Sequence, residues 1–213
     1  MFNFASHMGI NEKQLKILQV TERLFSEHGF DGTSVRTIAK QAQVNIAMIS
    51  YYFGSKEKLL ESLLYYRSQG FKAQLKEVLA KDISYLQKID EMVAVMIERV
   101  HKNRRIYKIL HFESTTNTRR SIINDHLIRK KETYKIIESF INDGQKVGVF
   151  SKDVNIKLIS STILGTYFNF YYNHNYFKII HGWDPDTSID HFVKNELTQH
   201  IQITIKALLT YEN

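Results

Sequence analysis

The segment Val44–Leu60, VNIAMISYYFGSKEKLL, sets three aromatic residues side by side just before a glycine and a charged helix start. Asn45 is a good N-cap, and Ile49 and Phe53 stand four apart on one face of a short helix that Gly54 stops. Ile46, Ala47, Met48, Ser50, Tyr51 and Tyr52 are rotated away from that face. A helix this short is not stable in isolation and has to be pinned from behind. A core needs Phe53 but not both tyrosines. Either the two phenols are surplus apolar surface, or their hydroxyls touch something outside the protein.

Working upstream, Asn11 and Gln14 have capping-box spacing, and Ile10 and Leu15 have the spacing of a hydrophobic staple. Ile17, Leu18, Thr21, Leu24, Phe25 and His28 recur at helical spacing until Gly29 ends the helix. Thr33 is expected to cap a second helix whose inner face is Val35, Ile38, Ala39 and Ala42. A tight turn at Val44–Ile46 then leads into the third helix. Three short helices, the last two joined by a tight turn, make a helix-turn-helix, whose second paired helix enters a DNA major groove. Ala47, Met48 and Ile46 have side chains that pack on thymine methyls, Asn45 and Ser50 can hydrogen-bond, and Arg36 supplies the guanidinium that the reading helix lacks.

Downstream, Ser55 caps a long amphipathic helix expected to run to about Lys81. Further helices are expected near residues 85–102, 104–114, 119–146, 155–173 and 188–211. One proline and nine glycines in 213 residues are few turn-makers, and apolar residues make up 43% and charged residues 24%, so the class is all-α. Without cysteine there are no disulfides, thiolate metal sites or cysteine nucleophiles. No apolar run approaches a membrane span of roughly 18 residues, and the first ten residues lack a signal-peptide pattern, so a soluble cytoplasmic chain with a loose arm at residues 1–10 is expected. No nucleotide-binding, hydrolase or metalloprotease motif occurs, so neither an enzyme nor a cofactor is expected. The net charge of +7 places +2 in residues 1–60, +6 in 61–150 and −1 in 151–213, so charge alone does not locate a nucleic-acid surface.

Residues 11–60 resemble the DNA-binding domain of the TetR family of bacterial transcriptional regulators. The stretches ILQVTERLFSEHGFDGTSVRTIAKQAQV and ISYYFGSKEKLL carry the likeness. It implies a helix-turn-helix domain at residues 11–56 and a ligand-binding and dimerisation domain at 57–213. It also implies phosphate contacts from Thr33, Tyr51, Tyr52 and Lys56, with Arg36, Asn45, Ile46, Ala47, Met48 and Ser50 facing bases or nearby backbone. Gln43 departs from the family's usual turn glycine, and Ser50 stands where tyrosine is common.

The last two helices are apolar on more than one face, more than a single core needs. Ile159, Ile163, Tyr167, Phe170, Val193, Leu197, Ile201, Ile205 and Leu208 are therefore expected to meet a second copy. Tyr107, His111, Phe112, Tyr134, Phe168 and Tyr171 have the mixed aromatic and polar chemistry of a pocket for a small apolar or aromatic effector. The resulting expectation is a homodimeric repressor released from a near-palindromic operator by that effector. The competing reading is a helical small-molecule-binding protein or enzyme without a DNA role.

Overall fold

A computed structural model describes residues 10–116, 119–183 and 188–211, except the side chains of Arg120 and Arg129. The expected arm at residues 1–10 lies, apart from Ile10, outside them, as do Asp184, Pro185, Asp186 and Thr187 of the loop before the last helix. The described chain is helical without strands: α1 (Glu12–His28), α2 (Val35–Ala42), α3 (Ile46–Phe53), α4 (Lys56–Ser68), α5 (Phe71–Ala80), α6 (Tyr85–Lys102), α7 (Arg104–Thr116), α8 (Arg120–Lys146), α9 (Ile156–Ile180), α10 (Ile189–Phe192) and α11 (Thr198–Thr210). A π-helical turn, Val193–Leu197, joins the last two.

The chain divides into two compact units. The first is Met1–Gln69 with Asn103–Lys130, and the second is Gly70–Lys102 with Lys131–Asn213. The expected helix from Ser55 to Lys81 is in fact two. Gln69 leaves helical geometry at ψ 152°, and Gly70 follows at φ 82°, a left-handed conformation that its missing Cβ permits.

In the first unit the α1 capping box forms as expected: Gln14 N–H donates to Asn11 Oδ1 and Asn11 N–H to Gln14 Oε1, each at 2.9 Å. One core then runs through Ile17, Leu18, Leu24 and Phe25 of α1, Ile38, Ala39 and Ala42 of α2, Ile49 and Phe53 of α3, and the four leucines of α4. Ile106, Ile109 and Leu110 of α7 and Ile122 and Ile123 of α8 complete it. Buried Glu22 of α1 receives Arg67 of α4, Nε at 2.9 Å and Nη2 at 2.5 Å on the same oxygen. Burying a carboxylate is costly unless it is paired, so this bridge fixes how α4 lies on α1.

In the second unit α6 is the hub, packing on α5, α9, α11 and the π turn. Ile89, Met92, Val93, Ile97 and Val100 form its buried stripe. Gly144 in α8 is required by close approach, since a Cβ there would collide with the Phe150 ring. Phe140, Phe150 and Tyr85 pack as an aromatic trio with centroids 5.5–5.8 Å apart. The last helix, expected to be uniform, holds a π turn beside which the Thr198 hydroxyl donates to the Val193 carbonyl at 2.7 Å.

Candidate nucleic-acid interface

The α2–turn–α3 pair is built from caps outward. Ser34, not Thr33, caps α2, its Oγ accepting from Thr37 N–H at 3.0 Å. Gln43 then takes the left-handed conformation at φ 55° and ψ 45°, the only positive-φ residue other than glycine among those described. The turn keeps its geometry without the glycine, at a conformational cost. Val44 N–H donates to Ala39 O at 3.0 Å, and Asn45 Oδ1 accepts from Ala47 N–H at 2.9 Å to start α3. Gly54 ends the helix at φ 80°, with Ser55 capping α4 through Lys58 N–H at 3.2 Å.

Ile49 and Phe53 are buried and hold α3 from behind, while Tyr51 is 84% and Ile46 47% exposed. Asn45, Ala47 and Ser50 are also exposed, and Met48 is half-buried. Arg36 is exposed on α2. Tyr52 is less free than expected: it is half-buried against the core, with its ring 5.2 Å from Tyr51 and 6.3 Å from Phe53. One tyrosine of the pair therefore packs as well as faces outward.

Two of the expected phosphate contacts need correction. Thr33 is buried, and its hydroxyl donates inward to the Gly29 carbonyl at 2.8 Å, with the Leu24 carbonyl at 3.3 Å. That hydroxyl closes the α1 C-terminus and has no free path to a phosphate. The exposed hydroxyls at the α2 start belong to Ser34 and Thr37, 2.8 Å apart. Lys56 lays its ammonium 4.1 Å from the centroid of Phe30 rather than projecting it freely. Burial lowers its pKa, and the nearby Asp31 carboxylate partly offsets this. Lys58, one turn into α4, is the exposed cation at this end. Sequence reasoning passed over Ser34 because Thr33 and Ser34 are both good caps and only packing chooses between them.

The expected effector residues fall in separate units. Tyr107, His111 and Phe112 lie on α7 in the first unit, whereas Tyr134, Phe168 and Tyr171 lie in the second. Phe112 is half-exposed beside Gly29, and Tyr107 lies under the Lys130 ammonium at 5.2 Å. In the second unit, Phe168 and Tyr171 both pack on the buried Tyr167 ring, at 5.2 and 5.7 Å. His101, which the sequence reading overlooked, joins this aromatic group. Its Nδ1 lies 2.9 Å from the Tyr167 hydroxyl and its Nε2 2.8 Å from Asp190 Oδ1. Its signal was weak: a lone histidine at the end of an amphipathic helix.

The expected partner-facing residues also need correction. Ile159, Ile163, Tyr167, Phe170, Val193, Leu197, Ile201 and Ile205 are all buried within one chain, leaving only Leu208 exposed, at 42%. They pack against the chain's own helices. The other outward apolar residues of these helices are Leu158, Tyr172, Tyr176, Ile179 and Ile180 on α9 and Ile203 on α11. No helix among the described residues is long and apolar enough to cross a membrane, and none of their acidic or histidine side chains cluster in groups of three able to hold a metal.

A short helix pinned from behind, capped at its start and exposed on its far side, is the reading element of a helix-turn-helix protein. The comparisons agree with this class. The family described as bacterial regulatory proteins, tetR family, matches residues 17–63, the segment that holds the helix-turn-helix. A probable HTH-type transcriptional regulator of Bacillus subtilis, YttP, is 33% identical over 136 residues, covering 62% of this chain and 64% of its own, slightly under two thirds. The HTH-type transcriptional repressor KstR2 of Mycobacterium tuberculosis is 24% identical over 160 residues, covering 74% of this chain and 78% of the relative. The solved structure of KstR2 superposes with a TM-score of 0.73 at 18% identity, over 95% of this chain and 97% of that one. The structure of AibR with isovaleryl coenzyme A and operator DNA superposes with a TM-score of 0.65 at 21% identity, over 93% and 98%. At such identities these superpositions establish the fold, all-helical with an N-terminal helix-turn-helix.

Proposed function

We propose that the chain is a sequence-specific transcriptional regulator in the cytoplasm, acting as a dimer that is released from a near-palindromic operator when a small apolar or aromatic effector binds. Residues 11–56 read the DNA, and the rest carries the effector and partner surfaces. The observation that carries this reading is the outward side of α3, where Tyr51 and Ile46 stand free while Ile49 and Phe53 are buried. Asn45, Ala47, Met48 and Ser50 line the same short helix, and Arg36 is an exposed cation of the helix before it. Tyr51 and Tyr52 serve the phosphate walls, and the bases are read by the residues between the caps.

For the partner surface, the outward faces of α9 and α11 take the place of the buried residues. Leu158, Gly165, Tyr172, Tyr176 and Ile179 recur at spacings of seven, seven, four and three, the period of a helix-packing seam. Open space at the absent Gly165 side chain lets another helix approach closely. A two-fold pair would set the two reading helices roughly 34–36 Å apart or a little more, one duplex turn. For the effector, the group around Tyr167, with Phe168, Tyr171 and His101, combines apolar rings with a few polar atoms.

Selection of bound duplexes from a random pool, followed by anisotropy titration of the winner, tests the reading. Recovery of a near-palindrome is expected. Tyr51→Ala should weaken its binding about tenfold, one lost phosphate hydrogen bond, with the thermal midpoint unmoved because the residue touches little of the core. No enrichment of any sequence would end the regulator reading.

A further inference from the structure

The corner between α7 and α8 carries an ionic arrangement that the DNA-reading surface does not explain. Glu113 of α7 is 1% exposed, and one of its oxygens receives Arg119 Nη1 at 2.6 Å while the other receives no hydrogen bond. A single-partner carboxylate is an expensive thing to bury. The other arm of the same guanidinium, Nη2, donates to Asp31 in the link between α1 and α2, 88 positions away in sequence. Its Cζ lies 3.8 Å from the centroid of Phe30, the ring that also carries the Lys56 ammonium. Two cations thus lie over one phenyl ring, and two carboxylates hold one of those cations, all within the first unit.

We infer that Arg119 is a positioning residue for operator binding, a latch from the α7–α8 corner that fixes the α1–α2 link and, through it, the start of α2 and the α3 helix packed on it. The inference rests on the DNA-binding reading above. Asp31 is followed within three residues by Thr33, whose hydroxyl closes α1, and Ser34, which caps α2. Phe30 stacks on Phe25 of α1 at 5.1 Å and lies under Lys56 at the head of α4. Holding Phe30 and Asp31 therefore holds the entry points of two helices at once. Without the latch, the ordering of the link has to occur on DNA, at the expense of affinity.

Arg119→Ala would strand the buried Glu113 charge and could unfold the corner, so the informative substitution is at Asp31, whose side chain is 73% exposed. Asp31→Ala leaves the Arg119–Glu113 pair intact. Electrostatics alone predicts that deleting an acidic group from a DNA-binding head strengthens binding. The latch predicts the opposite: about fivefold weaker binding to the selected duplex, the lower end of ordinary coupling between sites. Asp31→Glu should restore most of it, and the slope of affinity against salt should stay at the wild-type value because no phosphate contact is lost. Glu27→Gln, which removes another acidic group of α1 outside the latch, should not weaken binding. In the absence of DNA, the Thr33 amide, bonded to the Phe30 carbonyl at 3.1 Å, should exchange faster in Asp31→Ala. Unchanged or stronger binding together with unchanged Thr33 exchange overturns the latch. A wild-type chain that selects no duplex sinks the regulator reading instead, and Thr33 exchange then decides the latch alone.

Discussion

Replacing Arg67 with methionine tests the bridge that joins the first and fourth helices. The substitution keeps most of the apolar stem and removes the guanidinium. Glu22, whose side chain is 6% exposed, would lose both of its hydrogen bonds from Arg67 and remain in the core without a counter-charge. Breaking a buried pair from one side costs about 3–5 kcal/mol. Because the Arg67 side chain is 30% exposed, water can reach that end, and the lower figure, about 3 kcal/mol, applies. At about 2–4 °C per kcal/mol for a chain of this size, the midpoint should fall by about 6–12 °C. Glu22→Gln in the Arg67→Met background replaces the stranded charge by an amide and should recover about 1–2 kcal/mol.

The assay can say which unit fails. Trp183 is the sole tryptophan, and it sits in the second unit, 4.4 Å from the Phe192 ring. Its fluorescence follows that unit, whereas helical circular dichroism follows both. In urea, Arg67→Met should move the dichroism transition to lower denaturant. The fluorescence transition follows it only if the two units unfold together. A dichroism midpoint within about 0.5 kcal/mol of wild type, the ordinary scatter of surface substitutions, would refute the reasoning. Glu22 would then not be held as a paired, desolvated carboxylate.

Two other substitutions have equally definite outcomes. Gln43→Gly should stabilise the chain by about 0.5 kcal/mol: relief of a left-handed non-glycine residue, about 1–2 kcal/mol, less the added freedom of glycine in the unfolded chain. The loss of the exposed Lys16–Gln43 bond at 3.0 Å subtracts little, and a destabilisation beyond about 1 kcal/mol in chemical denaturation contradicts the turn geometry. Ile203→Glu on the outward side of α11 should convert the proposed dimer to a folded monomer in sedimentation. Ile205→Glu, two residues on and fully buried, should unfold the second unit; the reverse pattern would return the interface to the inner face.

The first three helices were legible because their information is local. Capping residues at fixed offsets, apolar residues at helical spacing and a glycine at each stop specify α1 and α3 with little help from the rest of the chain. Where the local grammar allowed two answers, packing made the choice. Thr33 and Ser34 are adjacent and both qualify as caps, yet the carbonyl of Gly29 claims the Thr33 hydroxyl. Tyr51 and Tyr52 are chemically the same, yet one lies over core and the other does not. Arg119 had no local signature at all. Its partners are six residues before it and 88 residues before it, and nothing in a charge run says which guanidinium will find a buried carboxylate.

The last two long helices show a different kind of limit. Surplus apolar area is visible in sequence, because α9 is apolar around much of its circumference and no one core can cover it. Which side turns inward is not visible, since hydrophobicity ranks residues but has no direction. Ile203 and Ile205 are the same residue two positions apart; one is 57% exposed and the other fully buried, on a helix that packs on α6, α9 and the π turn with one side only. On α9, Ile159, Ile163, Tyr167 and Phe170 face the core at helical spacing. Leu158, Tyr172, Tyr176 and Ile179 mark a second stripe of the same period on the outside. On the dimer reading proposed above, a helix with two such stripes has two partners. The inner one is the chain itself, and an outer stripe that rich in leucine, isoleucine and tyrosine is more than water should be left to cover.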